Sequence, residues 1–213
     1  MLRKGSLRGD VTGDGKPDRV AVVEDPRVAF RCRFAVAVYT RGRVLLRPLG
    51  RFTDPGAVIG QPWPLVRLLA RIDRRRGAEI LLAVSSGAAF EQAQLLTVRG
   101  GRIARFQGPP GFAGGLFSYG SMVPAGDSFD CPRTGAGVVL EARFGELDPN
   151  GRRYRYSLIH YRVEGLGLRW TRTRTTVLRS GVADRAPRWW RRYFAELAPF
   201  RHCTVALSRL PWQ

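Results

Sequence analysis

The sequence predicts an all-β protein built from antiparallel units of about 60 residues. Three observations predict it. Short runs of β-branched and aromatic residues, many of them alternating, recur along the 213 residues. Clusters of Gly, Asp, Asn and Pro separate those runs. One pattern, a polar Gly-containing loop followed by an acid and an apolar run, returns near a fixed period.

Strands are expected at 19–23, 33–40, 43–49, 79–84, 92–99, 101–106, 137–144 and 152–164. The turns "TRGR" (40–43), "RGGR" (99–102), "DPNGR" (148–152) and "EGLG" (164–167) join neighbouring runs into hairpins. One helix is expected late. Asp184 caps "DRAPRWWRRYFAELAPF", Pro187 lies in its first turn and Pro199 ends it. Its aromatic residues fall on one face, which packs on the sheet.

The repeat aligns "SLRGDVTGDGKPDRVAVV" with "RLLARIDRRRGAEILLAV", so that Asp18 and Glu79 take the same place. "MVPAGDSFDCPRTGAGVVLEA" is a weaker third copy holding Asp127 and Asp130. A single β-rich domain over 1–213 follows. Its units run 5–60, 61–115 and 116–180, with the helix and a closing segment at 181–213. Four-stranded units of this length are of propeller-blade type. Three of them are fewer than a closed propeller's four to eight, so the ring is incomplete or atypical.

The formal net charge is +19, but of 36 basic residues only Lys4 and Lys16 are lysine. The arginines are spread along the whole chain, as codon bias would leave them. The charge is therefore read first as a solvated face and second as a surface for anionic polymers. No run has the length of a membrane span, and the first residues lack the apolar region of a signal peptide. The chain is either cytosolic or exported by a signal outside it.

Asp10, Thr12, Asp14 and Asp18 occupy positions 1, 3, 5 and 9 of a loop, with Gly15 at the sharp turn and the Lys16 carbonyl at position 7. Hard oxygens at this spacing suit calcium. Position 12 is Ala21, inside a strand pattern, so the loop is not an EF-hand. In the second loop Asp73 and Glu79 remain, and Arg74, Arg75 and Arg76 replace the middle ligands; a guanidinium paired with Asp73 or Glu79 would take the ion's place.

Catalytic constellations are not apparent. Ser85 and Ser86 end a strand pattern without opening a helix. His160 is a strand residue, and His202 and Cys203 point apart as neighbours on an extended chain. Asp127 and Asp130 read as turn acids, and no four-ligand zinc spacing is present.

The loop D-x-x-x-D-G-x-x-D, followed by an apolar strand and repeated near 60 residues, resembles the FG-GAP repeat of integrin-alpha-type β-propellers and their bacterial relatives. The resemblance implies that Asp10, Thr12, Asp14, the Lys16 carbonyl and Asp18 hold calcium, and that Asp73 and Glu79 mark a degenerate second loop. The chain also resembles small exported proteins of high-GC bacteria. That implies a non-catalytic protein outside the cytoplasm, secreted or anchored at the cell surface, binding a protein or glycan. A cationic protein for nucleic acid or polysaccharide is the alternative, and a hydrolase on a propeller scaffold the second alternative.

Cys32, Cys131 and Cys203 are widely spaced and leave three pairings open, or three thiols. If the architecture closes on itself, the last segment lands beside the first unit. Cys32 and Cys203 are then the expected partners, with Cys131 free.

Overall fold

The computed structural model describes residues 2–27, 34–50, 64–73, 75–86, 90–107, 116–122, 125–131, 139–148, 150, 152–179 and 203–207. Within them the chain is all-β and antiparallel. The expected helix lies outside the described residues, as does Cys32.

The first unit is a four-stranded meander: β1 (Leu2–Gly9), β2 (Asp18–Glu24), β3 (Phe34–Thr40) and β4 (Arg43–Pro48), in spatial order β1-β2-β3-β4. The run "DRVAVVE" makes β2 because its valines suit a pleated, buried strand, and Val20 to Val23 are all buried. The second unit repeats this plan with β5 (Leu65–Ala70), β6 (Glu79–Ser86), β7 (Phe90–Arg99) and β8 (Arg102–Arg105). Gly100 and Gly101 both have positive φ, as a two-residue turn between β7 and β8 requires. Gly42 does the same between β3 and β4.

The two meanders pack face to face. Val20, Val22, Phe34, Val36 and Val38 of the first share a buried core with Val66, Leu69, Ile80, Leu82 and Leu96 of the second. Each such side chain contributes about 1.5–3 kcal/mol of burial, which makes this interface the main bond between the units.

The third unit is different. β9 (Phe117–Met122), β10 (Ala125–Asp130), β11 (Val139–Leu147), β12 (Arg153–Glu164) and β13 (Gly167–Arg179) continue the second unit's sheet, and β14 (Thr204–Leu207) adds to its other edge. The junction is β7, which forks: Phe90–Ala93 pair with β9, while Leu96–Arg99 pair with β8. The sheet order is β13-β12-β11-β10-β9-β7-β6-β5-β14, an open path. The third acidic stretch is not a loop. Asp127 and Asp130 lie within β10, and Ala125 stands opposite Met122 of β9. A strand replaces the loop because the register of β9 on β10 leaves room for only a short connection.

The disulfide departs from the expected pairing. Cys203 is bonded to Cys131, with Cα atoms 5.6 Å apart, and not to Cys32. The topology gives the reason. Cys203 precedes β14, which docks on the edge of the second unit at β5 and not on β2 or β3. β10 and β14 stand five strand steps apart in sheet order, about 24 Å in a flat sheet. The sheet must therefore curl until the end of β10 comes beside β14. A second core fills the curl, holding both cysteines together with Leu68, Leu81, Leu95 and Leu140. Phe117, Phe129 and Phe144 meet there edge to face, at 5.0 and 6.2 Å between centroids. The Gln107 N–H donates to the Leu166 carbonyl at 2.7 Å, which joins the end of β8 to the β12–β13 turn.

Candidate functional site

The loop between β1 and β2 is built around its carboxylates. Asp18, 3% exposed, is the first residue of β2, and its Oδ2 accepts the N–H groups of Val11 and Thr12, both at 3.0 Å. Asp10 follows β1. Its Oδ1 accepts the Gly13 N–H at 2.6 Å and its Oδ2 the Gly15 N–H at 2.9 Å. Asp14 stands exposed at the apex, where its Oδ1 accepts the Lys16 N–H at 2.8 Å. This is the local turn that Asp commonly makes with the residue two positions on. The Thr12 hydroxyl is buried and has no hydrogen-bond partner.

The second loop copies part of this construction. Glu79, 2% exposed, is the first residue of β6, and its Oε2 accepts the Ile72 N–H at 2.9 Å. Val11 and Ile72 are equivalent, as are Asp18 and Glu79, at the same seven-residue span. On that alignment Asp73 takes the place of Thr12, and Arg71 the place of Asp10. Burial pushes the Glu79 carboxyl up to about 7, against the Ile72 hydrogen bond, with the Asp73 charge adding to the rise.

Neither described arginine of the second loop, Arg75 or Arg76, pairs its guanidinium with Asp73 or Glu79. Asp73 pairs with Arg99 of β7 at 3.2 Å, and the Arg99 guanidinium also lies over the Phe106 ring, 5.4 Å from its centroid. Arg75 supplies a main-chain N–H to Asp73, and the Arg75 and Arg76 side chains are exposed. Arg74 lies outside the described residues. Arg99 arrives from the β7–β8 hairpin, 26 residues on, so the spacing around Asp73 carried no trace of it.

The two loops lie against each other. The Ala78 N–H donates to the Asp10 carbonyl at 2.7 Å. A Cβ on Gly13 would stand 2.6 Å from the Arg76 carbonyl oxygen. One on Gly77 would stand 3.0 Å from both the Gly13 nitrogen and the Val11 oxygen. Both glycines also have positive φ, so backbone shape and close approach require them together.

The loop has the donor chemistry of a calcium site: three carboxylates, a buried unpartnered hydroxyl and a main-chain carbonyl. It does not gather them. Among the described residues no three Asp, Glu, His or Cys side chains form a group able to hold a metal ion. Asp10 and Asp18 are turned toward loop amides: each Asp10 oxygen keeps a second lone pair, whereas Oδ2 of Asp18 has both engaged.

The other sequence candidates are separate from this loop. His160 is half-buried on β12, its Nε2 3.3 Å from Oε1 of Glu141; the other Glu141 oxygen pairs with Arg143 at 2.9 Å. Ser85 and Ser86 lie at the end of β6, and His202 lies outside the described residues. Sequence reasoning read "YRVEGLGLRWTRTR" as a hairpin, and β13 is its second arm, but it did not single out the exposed Arg172 and Arg174, two residues apart on this edge strand. The period-2 alternation was the available signal.

No family model, curated protein or solved structure matches the chain.

Proposed function

We propose that this chain is a non-catalytic β-repeat protein that works outside the cytoplasm in binding or adhesion, with calcium stabilising its first loop. The observation that carries the reading is the buried Cys131–Cys203 bridge within the core of the curled sheet. Such bridges persist in oxidising compartments and are rare in the cytosol. No helix among the described residues is long and apolar enough to cross a membrane. Two meanders locked face to face make a rigid support for a binding surface, which suits adhesion better than a reaction that needs a moving lid.

Calcium enters through the donor set of the first loop. Asp10, Thr12, Asp14, Asp18 and the Lys16 carbonyl would hold it, and the ion would supply a partner for the buried Thr12 hydroxyl. It would also draw the carboxylates together and stiffen the turn between β1 and β2. An ion that binds only the folded chain adds about 2.7 kcal/mol at a hundredfold excess over its dissociation constant. Thermal melting with calcium and with chelator tests this. The wild type should melt higher in calcium, and Asp14→Ala should lose the difference. Equal melting temperatures for the wild type in calcium and chelator, at low ionic strength, would remove the ion from the account.

A further inference from the structure

We infer that the arginine-bearing face of the β12–β13 edge is a docking surface for a linear acidic polysaccharide. Residues alternate across the strands, so Leu158, His160 and Arg162 of β12 share one face. Their partners on β13 are Arg174, Arg172 and Arg169. Arg169 is neutralised by Glu164 at 3.0 Å. Arg162, Arg172 and Arg174 are exposed and make no ion pair among the described residues. Arg172 and Arg174 stand about 7 Å apart along the strand, and Arg162, directly opposite Arg169, is a diagonal neighbour of Arg172 on the next strand, about 8 Å away.

Three uncompensated guanidinium groups on one edge call for an anionic partner with repeated charges. Strand addition by a protein segment is disfavoured, because charged side chains alternating along an edge oppose a further strand. Single-stranded nucleic acid needs aromatic platforms beside the cations. On this face Tyr154 and Tyr156 are buried and offer no platform, and the neighbours of the arginines are Leu158 and His160, both half-buried. Trp170, 61% exposed, stands opposite Tyr161 on the other face, because the ladder slips between His160 and Tyr161 and leaves Thr171 unpaired. Its indole N–H is held by the Thr173 hydroxyl at 2.7 Å. The arginine face thus offers charge and forked hydrogen bonding without stacking. Uronate carboxylates meet guanidinium groups in paired hydrogen bonds, which a lysine surface would not supply.

The choice of a polysaccharide rests on the extracytoplasmic reading, which is tested separately by the state of the cysteines. Docking is tested with labelled polygalacturonate titrated by fluorescence anisotropy near about 50 mM salt, where such contacts are weakly screened. The wild type should bind, with affinity falling as salt rises. The triple variant Arg162→Gln, Arg172→Gln, Arg174→Gln should lose about tenfold or more and show a shallower salt dependence. Lysine at the same three positions should restore the charge but only part of the affinity. A control removing three exposed arginines elsewhere, Arg8→Gln, Arg41→Gln and Arg75→Gln, should change little. An equal loss in the control would show that binding is spread over the +19 chain and overturn the site. So would a missing wild-type signal, or tighter binding of single-stranded DNA of matched charge, since the occupant would then be a different polymer.

Discussion

Gly13 and Gly15 show how two residues of one type, with nearly the same backbone, do different work. Their φ angles are 82° and 83°. Gly15 has nothing within 4 Å of an added Cβ, whereas Gly13 faces the Arg76 carbonyl. Gly15→Ala should therefore cost only the left-handed penalty, about 1–2 kcal/mol. Gly13→Ala should cost clearly more, because a backbone atom of the second loop must move. Urea denaturation of the two variants checks this, and equal losses would mean that the loops are not in contact. Glu79 makes a second prediction. Its folded value, about 7, lies above its ordinary value of 4.5, so the folded chain binds a proton more tightly than the unfolded one. The carboxyl's contribution to stability is full below 4.5, declines as pH rises toward 7 and is level beyond. Glu79→Gln keeps an acceptor for the Ile72 N–H and removes the titration. Its stability relative to wild type should rise by up to about 3 kcal/mol between pH 5 and 8. Glu91, also raised to about 7 because burial outweighs Arg67, titrates in the same window and remains in both proteins. A difference that stays constant with pH would place the Glu79 carboxylate in water.

At the scale of the elements, three strands of each of the first two units were legible because their signals are local, whereas β1 and β5 were not read as strands. The valines of β2, the Gly42 turn and the Gly100–Gly101 turn each act within a few residues of themselves. The Asp18 and Glu79 equivalence was legible for the same reason: a carboxylate at the start of a strand reaches back seven residues to an amide. The third unit was less so. "GDSFDC" has the composition of a turn, yet β9 and β11 pair with it on both sides and hold it as a strand. Partners far along the chain override local preference there. The Asp73–Arg99 pair and the fork in β7 were hidden likewise, since both depend on where a later hairpin lands. The carboxylates of the first loop were recognised by spacing, but spacing says nothing of whether they face an ion or the loop's own amides. In the structure they face the amides. The calcium prediction at this scale is consequently one of reorganisation: the ion should protect the β1–β2 loop amides from hydrogen exchange more than it protects β6 or β7.

At the scale of the molecule, two cores divide the work. One joins the meanders, and the other fills the curl of the larger sheet. The bridge joins residues 72 apart in the chain and holds β14 near β10. For a loop of that length the chain-entropy model gives about 4 kcal/mol, less any strain in the folded chain. Reduction should therefore loosen the curl while leaving the interface between the first two meanders in place. The curl and the extracytoplasmic reading both rest on this bond. Non-reducing peptide mapping of protein recovered from its native host tests it most directly. The account predicts one linked pair of peptides carrying Cys131 and Cys203. A Cys32–Cys203 link, or three free thiols, would contradict it.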